Sequence, residues 1–287
     1  MTMNEMKFGV SAFAWTANFE SRHLELLPTV REMGFAAFEI PMFKPKALPV
    51  AALRKTFAAN DLDCTVCAIL PEGINPISAE AETRRQSQAH LVECIETAAE
   101  MGARLVGGPL FAPIGYLPPH RPIAAETQWA VEAFQSLGEV LDRYEMTLSL
   151  EPVNRSETFF LRTAAEAKEL CDAIDHPRIG VTIDTFHANI EEKNIAEAIA
   201  SLGARLKHLH ASENDRSLLG TGHVDFPEIV RTLQRTAYDG YVMLEGFGFS
   251  HDEPDAPGAL WADVRVAPEV LARQGLDYLR LCCIDPG

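Results

Sequence analysis

The sequence has few basic residues and no long apolar run. It contains 25 Lys and Arg residues against 41 Asp and Glu residues, and the resulting formal charge of −16 repels the phosphate backbones of nucleic acids. No stretch approaches the roughly 20 consecutive apolar residues that span a membrane. We therefore expect neither a nucleic-acid partner nor a membrane-spanning segment.

Cysteines are also scarce, and their spacing does not suit disulfide bonds or a structural metal site. There are six, of which Cys64 and Cys67 would point to opposite faces of a strand, while Cys282 and Cys283 are adjacent. The first residues, MTMNEMKFGVSAF, carry no basic segment followed by a long apolar stretch, so we expect no secretory signal. The sequence thus predicts a cytoplasmic protein whose cysteines are free thiols.

One pattern repeats along the 287 residues: a short apolar or β-branched run, a turn, and an amphipathic helical stretch. The predicted strands are residues 7–13, 36–41, 63–70, 104–111, 146–153, 178–185, 206–213 and 240–247. Eight alternating units favour a closed (β/α)8 barrel over an open sheet. Because no linker or change of composition divides the chain, we predict an α/β protein with a single TIM-barrel domain over residues 1–287.

Alternate residues of the last four predicted strands fall into an apolar set and a polar set. The apolar set, which suits packing beneath helices, is Leu148, Leu150, Val181, Ile183, Leu209, Val242 and Leu244. The polar set is Thr147, Ser149, Glu151, Thr182, Asp184, His208, His210, Tyr241, Met243 and Glu245. Since alternate residues of a barrel strand face the lumen, we expect the polar set to point inward.

Four members of the polar set lie near the carboxyl ends of successive predicted strands, where TIM-barrel active sites form. They are Glu151, Asp184, His210 and Glu245, and they are separated by 33, 26 and 35 residues, each about one βα unit. An aspartate at a strand end is also a common turn or helix-capping residue, which is the alternative for Asp184. Three carboxylates repel one another unless a cation holds them ionised. Together with one histidine, the three carboxylates form a donor set typical of Mn2+, Mg2+ or Co2+. A structural zinc site would instead be expected to contain thiolates.

Four segments carry a family resemblance. EPVNRSE, DTFHANIEE, HLHASENDR and MLEGF, in this order and spacing, resemble the xylose-isomerase-like barrel superfamily, and within it the ketose 3-epimerases of the D-tagatose and D-psicose type. The resemblance implies a divalent metal, Mn2+ first and Mg2+ or Co2+ as alternatives, bound by Glu151, Asp184, His210 and Glu245. It implies proton transfer by Glu151 and Glu245, and sugar contacts from Glu157, His187 and Arg216. We further expect a homo-oligomer, either a dimer or a tetramer.

The predicted activity is interconversion of the C3 epimers of a free ketose, by deprotonation and reprotonation through a metal-stabilised enediolate. Two alternatives use a similar site. One is an aldose–ketose isomerase, and the other is a decarboxylase of a 3-keto sugar acid of the 3-oxo-isoapionate kind. The loop after strand four lacks a tryptophan expected in the epimerases, and Ser11 and Ala12 stand where tyrosine is frequent. These departures keep the decarboxylase open.

Several further residues have both a structural and a functional interpretation. Gly108 either lets a substrate approach the backbone closely or turns the chain. For His187, Arg216 and Glu157, the alternative to the sugar contact is an ordinary loop residue. His208 is predicted as a buried core histidine, and Glu39 is assigned no role. The loop after strand eight, GFGFSHDEPDAPGALW, is long enough to predict a lid or a subunit contact.

Overall fold

A computed structural model describes residues 6–248 and 266–284 as a closed parallel barrel. Its strands follow chain order, and β1 pairs with β8 to close the ring. The strands are β1 (Lys7–Ser11), β2 (Ala37–Met42), β3 (Asp63–Ala68), β4 (Leu105–Gly108), β5 (Thr147–Leu150), β6 (Ile179–Asp184), β7 (Leu206–Ala211) and β8 (Tyr241–Leu244). The predicted (β/α)8 barrel is confirmed.

Helices connect the strands on the outside of the barrel. In the described residues they are α1 (Leu26–Met33), α2 (Val50–Asn60), α3 (Ala81–Met101), α4 (Ala124–Gln135), α5 (Gly138–Arg143), α6 (Ala164–Ile174), α7 (Thr185–Glu191), α8 (Ile195–Leu202), α9 (Phe226–Arg235) and α10 (Pro268–Ile284). Helix α3 ends at Met101 and is followed by Gly102, whose φ of 91° permits the left-handed turn that stops a helix.

Most predicted strands extend two or three residues too far at the carboxyl end. These residues lie beyond the regular β-strand, in the loops at the barrel mouth. Some of them still make a backbone hydrogen bond to the neighbouring strand. The backbone N–H of Glu151 donates to Gly108 O at 3.0 Å, and that of Glu245 donates to Ala211 O at 3.0 Å. Glu151 and Glu245 are therefore fixed at the rim directly after β5 and β8.

The two sets of alternate residues separate as predicted. Leu148, Val181 and Leu209 are buried in the main hydrophobic core, between the barrel and its helices. The hydroxyl of Thr182 donates to Ser149 Oγ at 2.7 Å across two adjacent strands. The barrel interior is consequently polar on its β5 to β8 side.

Other predictions concern membranes, cysteines and the last loop. None of the helices within residues 6–248 and 266–284 has the length and apolar character needed to cross a bilayer. All six cysteines are free, as predicted. The loop predicted as a lid or subunit contact spans residues 246–261, and residues 249–261 lie outside the described ranges.

Candidate active site

The four predicted metal ligands converge at the carboxyl ends of β5 to β8. Glu151, Asp184, His210 and Glu245 expose at most 4% of their surface. Glu151 Oε1 lies 3.1 Å from His210 Nδ1, and Glu245 Oε1 lies 3.7 Å from the same nitrogen. Glu151, Asp184 and His210 each offer a ligand atom, and these three atoms lie within 4.8 Å of one another.

Asp184 belongs to this cluster and also caps a helix. Its Oδ1 accepts the backbone N–H of Phe186 at 2.9 Å and so caps α7. Its Oδ2 is buried, has no hydrogen bond within the described part of the chain, and lies 2.8 Å from Arg216 Nη1. The capping interpretation is confirmed, and the metal-ligand interpretation stays a prediction that concerns the other oxygen, Oδ2.

The charges at the site fit a divalent cation. Burial raises the pKa of Asp184 to about 6, and neighbouring Glu245 acts in the same direction. Burial alone would lower the pKa of His210, but the carboxylates of Glu39, Glu245 and Glu151 raise it well above 6.5. Carboxylates thus outnumber the positive groups among these buried side chains. Their oxygen atoms and one imidazole nitrogen form a donor set that Mn2+, Mg2+ or Co2+ accepts.

Arg216 extends into the cluster from the loop after β7. Its backbone has a left-handed φ of 61°, and its N–H donates to Glu213 O at 3.0 Å. Its guanidinium carbon lies 4.1 Å and 4.3 Å from the ring centroids of Phe186 and Phe247. Nη1 donates to Glu245 Oε2. The two aromatic rings and the carboxylate together fix the guanidinium beside the predicted metal ligands.

His187 and Glu157 lie next to this guanidinium and are linked by Asn154. The backbone N–H of Asn154 donates to His187 Nδ1 at 3.2 Å, which makes Nδ1 an acceptor and leaves the proton of the neutral ring on Nε2. Burial lowers the pKa of His187 well below 6.5, and Arg216 acts in the same direction, so the ring is neutral. Asn154 Nδ2 also donates to Glu157 Oε1 at 2.7 Å. His187 Nε2 therefore presents its N–H to Asp184 Oδ2, which lies 3.5 Å away, and Arg216 Nη2 lies 3.3 Å from the same nitrogen.

Gly108 has a steric reason for lacking a side chain. Its φ is 128°, a conformation that favours glycine, and a Cβ at this position would collide with the carbonyl oxygen of Ala68. Its own carbonyl accepts the N–H of Glu151. Gly108 thus holds a predicted ligand in place, and its predicted contact with substrate remains a prediction.

Two buried residues at the site were missed by sequence reasoning. Asn154 links His187 to Glu157, and Glu39 on β2 lies 3.1 Å from the second ring nitrogen of His210. A signal for Glu39 did exist, since an ionisable residue in the apolar strand FEIP requires a partner when it is buried. His208 is fully buried, as predicted, and its Nε2 lies 2.9 Å from Glu39 Oε2.

Comparison with known proteins places the chain in a family. Residues 27–282 match the family described as xylose isomerase-like TIM barrel. The chain is 30% identical over 276 residues to a probable ketose 3-epimerase from Synechocystis sp., with 96% of each chain covered. It is 29% identical over 269 residues to a ketose 3-epimerase from Arthrobacter globiformis, covering 90% of this chain and 91% of that protein.

A solved structure of an L-ribulose 3-epimerase has a TM-score of 0.90 to this fold, with 26% identity, 97% of this chain covered and 95% of that chain covered. The chain therefore belongs to the xylose isomerase-like TIM-barrel family. The relatives named above are epimerases, and the prediction of an isomerase-class enzyme is confirmed.

Proposed function

We propose that the protein is a metal-dependent ketose 3-epimerase that interconverts the C3 epimers of a free ketose. The observation that carries the proposal is the position of two carboxylates. Glu151 follows β5 and Glu245 follows β8, yet both reach within 4 Å of His210 Nδ1. Because β6 and β7 separate these strands, the two carboxylates approach the centre from different directions. Inversion at a carbon needs such a pair.

The metal in this proposal is held by Glu151, Asp184, His210 and Glu245. Two observations support it: Asp184 Oδ2 makes no hydrogen bond in the described part of the chain, although Arg216 lies beside it, and buried carboxylates are in surplus. Mn2+ is proposed first, with Mg2+ and Co2+ as alternatives. A bound divalent ion supplies Lewis-acid polarisation of the ketone, which makes the adjacent C–H more acidic.

Proton transfer is assigned to the two glutamates. One carboxylate removes the proton from C3 on one face of the sugar, and the other delivers a proton to the opposite face. The hydrogen bond from Arg216 to Glu245 Oε2 orients one member of this pair. The two glutamates exchange roles when the reaction runs in reverse.

The neighbouring polar side chains are assigned to the sugar. His187 offers its Nε2 proton to a sugar oxygen, because Asn154 occupies Nδ1. Glu157 accepts from a sugar hydroxyl while Asn154 Nδ2 holds its Oε1. Among the described side chains of the site, several are carboxylates and Arg216 is the one arginine. This excess of negative charge disfavours a phosphorylated sugar. Gly108 is assigned close backbone contact with the substrate.

The experiment that tests this proposal is a substrate panel. Chelator-treated protein reloaded with Mn2+ is incubated with ketoses of four to six carbons and with a 3-keto sugar acid. We expect C3 epimers of one or more ketoses, and no turnover by the metal-free protein. Aldose products would instead support an aldose–ketose isomerase, and release of CO2 from the keto acid would support the decarboxylase.

We also propose a cytoplasmic homo-oligomer in which residues 1–287 form a single domain. Six free thiols suit a reducing compartment.

The proposed homo-oligomer is supported by exposed apolar side chains in the segment between β4 and α4. They are Ile114 (43%), Tyr116 (38%), Leu117 (51%) and Ile123 (50%), a grouping typical of an interface. Light scattering after size-exclusion chromatography tests this. A dimer or tetramer is expected, and a monomer at micromolar concentration would contradict it.

A further inference from the structure

The ring of His210 lies between two sets of carboxylates. Its Nδ1 faces Glu151 and Glu245, while its Nε2 lies 3.1 Å from Glu39 Oε1. Glu39 is fully buried on β2. Within the described part of the chain, neither His210 Nε2 nor Glu39 Oε1 makes a hydrogen bond, their own 3.1 Å contact included. A buried carboxylate oxygen and a buried ring nitrogen each require a partner, and at 3.1 Å each lies within reach of the other.

The other oxygen of Glu39 is already occupied. Glu39 Oε2 accepts the hydroxyl of Thr65 at 3.1 Å and lies 2.9 Å from His208 Nε2. These contacts, one from β3 and one from β7, fix the orientation of the carboxylate. Oε1 is therefore directed at His210 and can accept a single N–H there.

A neutral imidazole carries one proton, on either Nδ1 or Nε2, and the nitrogen without it is the metal ligand. In the metal-free protein Nδ1 hydrogen-bonds to Glu151 Oε1 at 3.1 Å, so both ring nitrogens face carboxylates. When Glu151 and Glu245 bind a cation, Glu39 is the acceptor left for the ring proton, which then lies on Nε2 and leaves the Nδ1 lone pair free. A donor beside Nε2 would have the opposite effect, since it would place the proton on Nδ1 and block the metal.

We propose that Glu39 is a positioning residue that keeps the proton of His210 on Nε2, so that Nδ1 is available to a divalent cation between Glu151 and Glu245. The inference rests on the metal site of the proposed function. It adds a residue from the opposite side of the barrel, to which no role was assigned from sequence. Glu39 itself does not contact the metal or the sugar in this account.

Glu39→Gln tests the inference with little change in volume. Thr65 and His208 both donate to the Oε2 position, so the amide oxygen is expected there and the NH2 group is expected to face His210 Nε2. The proton then moves to Nδ1. We expect the Kd for Mn2+, measured from the electron paramagnetic resonance signal of the free ion, to rise by about 10- to 100-fold. An unchanged Kd would overturn the inference.

Glu126→Gln is the matched control. Glu126 is also a buried carboxylate, but its Oε2 accepts the N–H of Ile123 at the start of α4. We expect this variant to bind Mn2+ as the original protein does. An equal loss of affinity in both variants would attribute the effect to general destabilisation and overturn the inference. Two metal ions per chain, with one lost in Glu39→Gln, would make Glu39 a ligand and also overturn it.

A second measurement needs no variant at position 39. Long-range 1H–15N correlation spectra of the Mg2+-loaded protein report which nitrogen of each histidine carries its proton, and the resonance missing from His210→Gln identifies His210. We expect protonation at Nε2, whereas protonation at Nδ1 would overturn the inference. Both measurements report metal binding and tautomer rather than turnover. A wrong sugar assignment would leave them unchanged, so failure of the inference and failure of the epimerase proposal are distinguishable.

Discussion

Glu151 and Glu245 lie on strands that are not neighbours, yet a carboxylate oxygen of each lies within 4 Å of one atom, Nδ1 of His210. The closed barrel creates this relationship, because β6 and β7 occupy the arc between them and direct Asp184 and His210 into the same space. Two carboxylates held on different sides of one centre are the arrangement that removal and return of a proton on opposite faces requires.

The first prediction follows from this pair. Glu151→Gln and Glu245→Gln each keep an oxygen but remove the proton-accepting group, so turnover at saturating Mn2+ should fall by about 100- to 10,000-fold. Circular dichroism should remain that of the unchanged protein. Near-normal turnover in steady-state assays of either variant would rule out a paired-carboxylate mechanism.

The second prediction concerns Arg216, whose guanidinium contacts Asp184 and Glu245. Arg216→Gln should lower kcat/KM by about 100-fold, because a donor near the sugar oxygens is lost. It should not weaken Mn2+ binding, since removal of a positive charge favours a cation. Arg155→Gln is the control, because Arg155 is exposed and pairs with Glu191. Weaker Mn2+ binding in Arg216→Gln would mean that this residue holds the ligands in place.

The third prediction is the pH dependence of metal binding. In the metal-free protein the pKa of Asp184 is raised to about 6, and the pKa of His210 is raised well above 6.5. Both groups must lose a proton to bind a cation. The affinity for Mn2+ should therefore rise with pH, by about tenfold per unit above pH 6 and more steeply below it. Calorimetric titrations between pH 5.5 and 8 measure this, and an affinity independent of pH would contradict it.

The same shifts set the stability of the metal-free protein. A raised pKa in the folded state means that folding binds protons, so the stabilisation is complete below the unfolded-state pKa and is lost as pH rises through the folded-state value. The stabilisation from Asp184 is lost between about pH 3.8 and pH 6. The stabilisation from His210 begins to be lost near pH 6.5. The increase in Tm caused by Mn2+ should accordingly be larger at pH 8 than at pH 6.

The strands and the inward-facing set could be predicted from sequence because both depend on local patterns. The alternation in MTLSLEPV and VTIDT places Glu151 and Asp184 on the lumen side without any knowledge of distant contacts. The alternation in β2 could not predict which residues Glu39 meets. Its partner His208 is 169 residues away in the chain, and the two meet because the barrel closes. Asn154 was missed because its contact with His187 depends on how the loop after β5 folds.

The fourth prediction separates a structural from a functional role for Gly108. Gly108→Ala should destabilise the fold by about 3 kcal/mol or more, because φ is 128° and the added Cβ meets the backbone of Ala68. Gly115→Ala is the control, since Gly115 also has a positive φ, 80°, but has open space around it. That variant should lose about 1 kcal/mol, the usual cost of a left-handed conformation for a residue with a Cβ. Equal losses in thermal or urea unfolding would mean that the packing against Ala68 is unimportant.

The measurement that tests the central claim most directly follows the proton at C3. The Mn2+-loaded protein is incubated in D2O with the ketose on which it is most active, and the product is examined by NMR. We predict that the C3 epimer accumulates with deuterium at C3, because one glutamate removes the original proton and the other delivers a solvent-derived one. A C3 epimer that carries no deuterium, or an aldose product without any exchange at C3, would contradict proton transfer by Glu151 and Glu245.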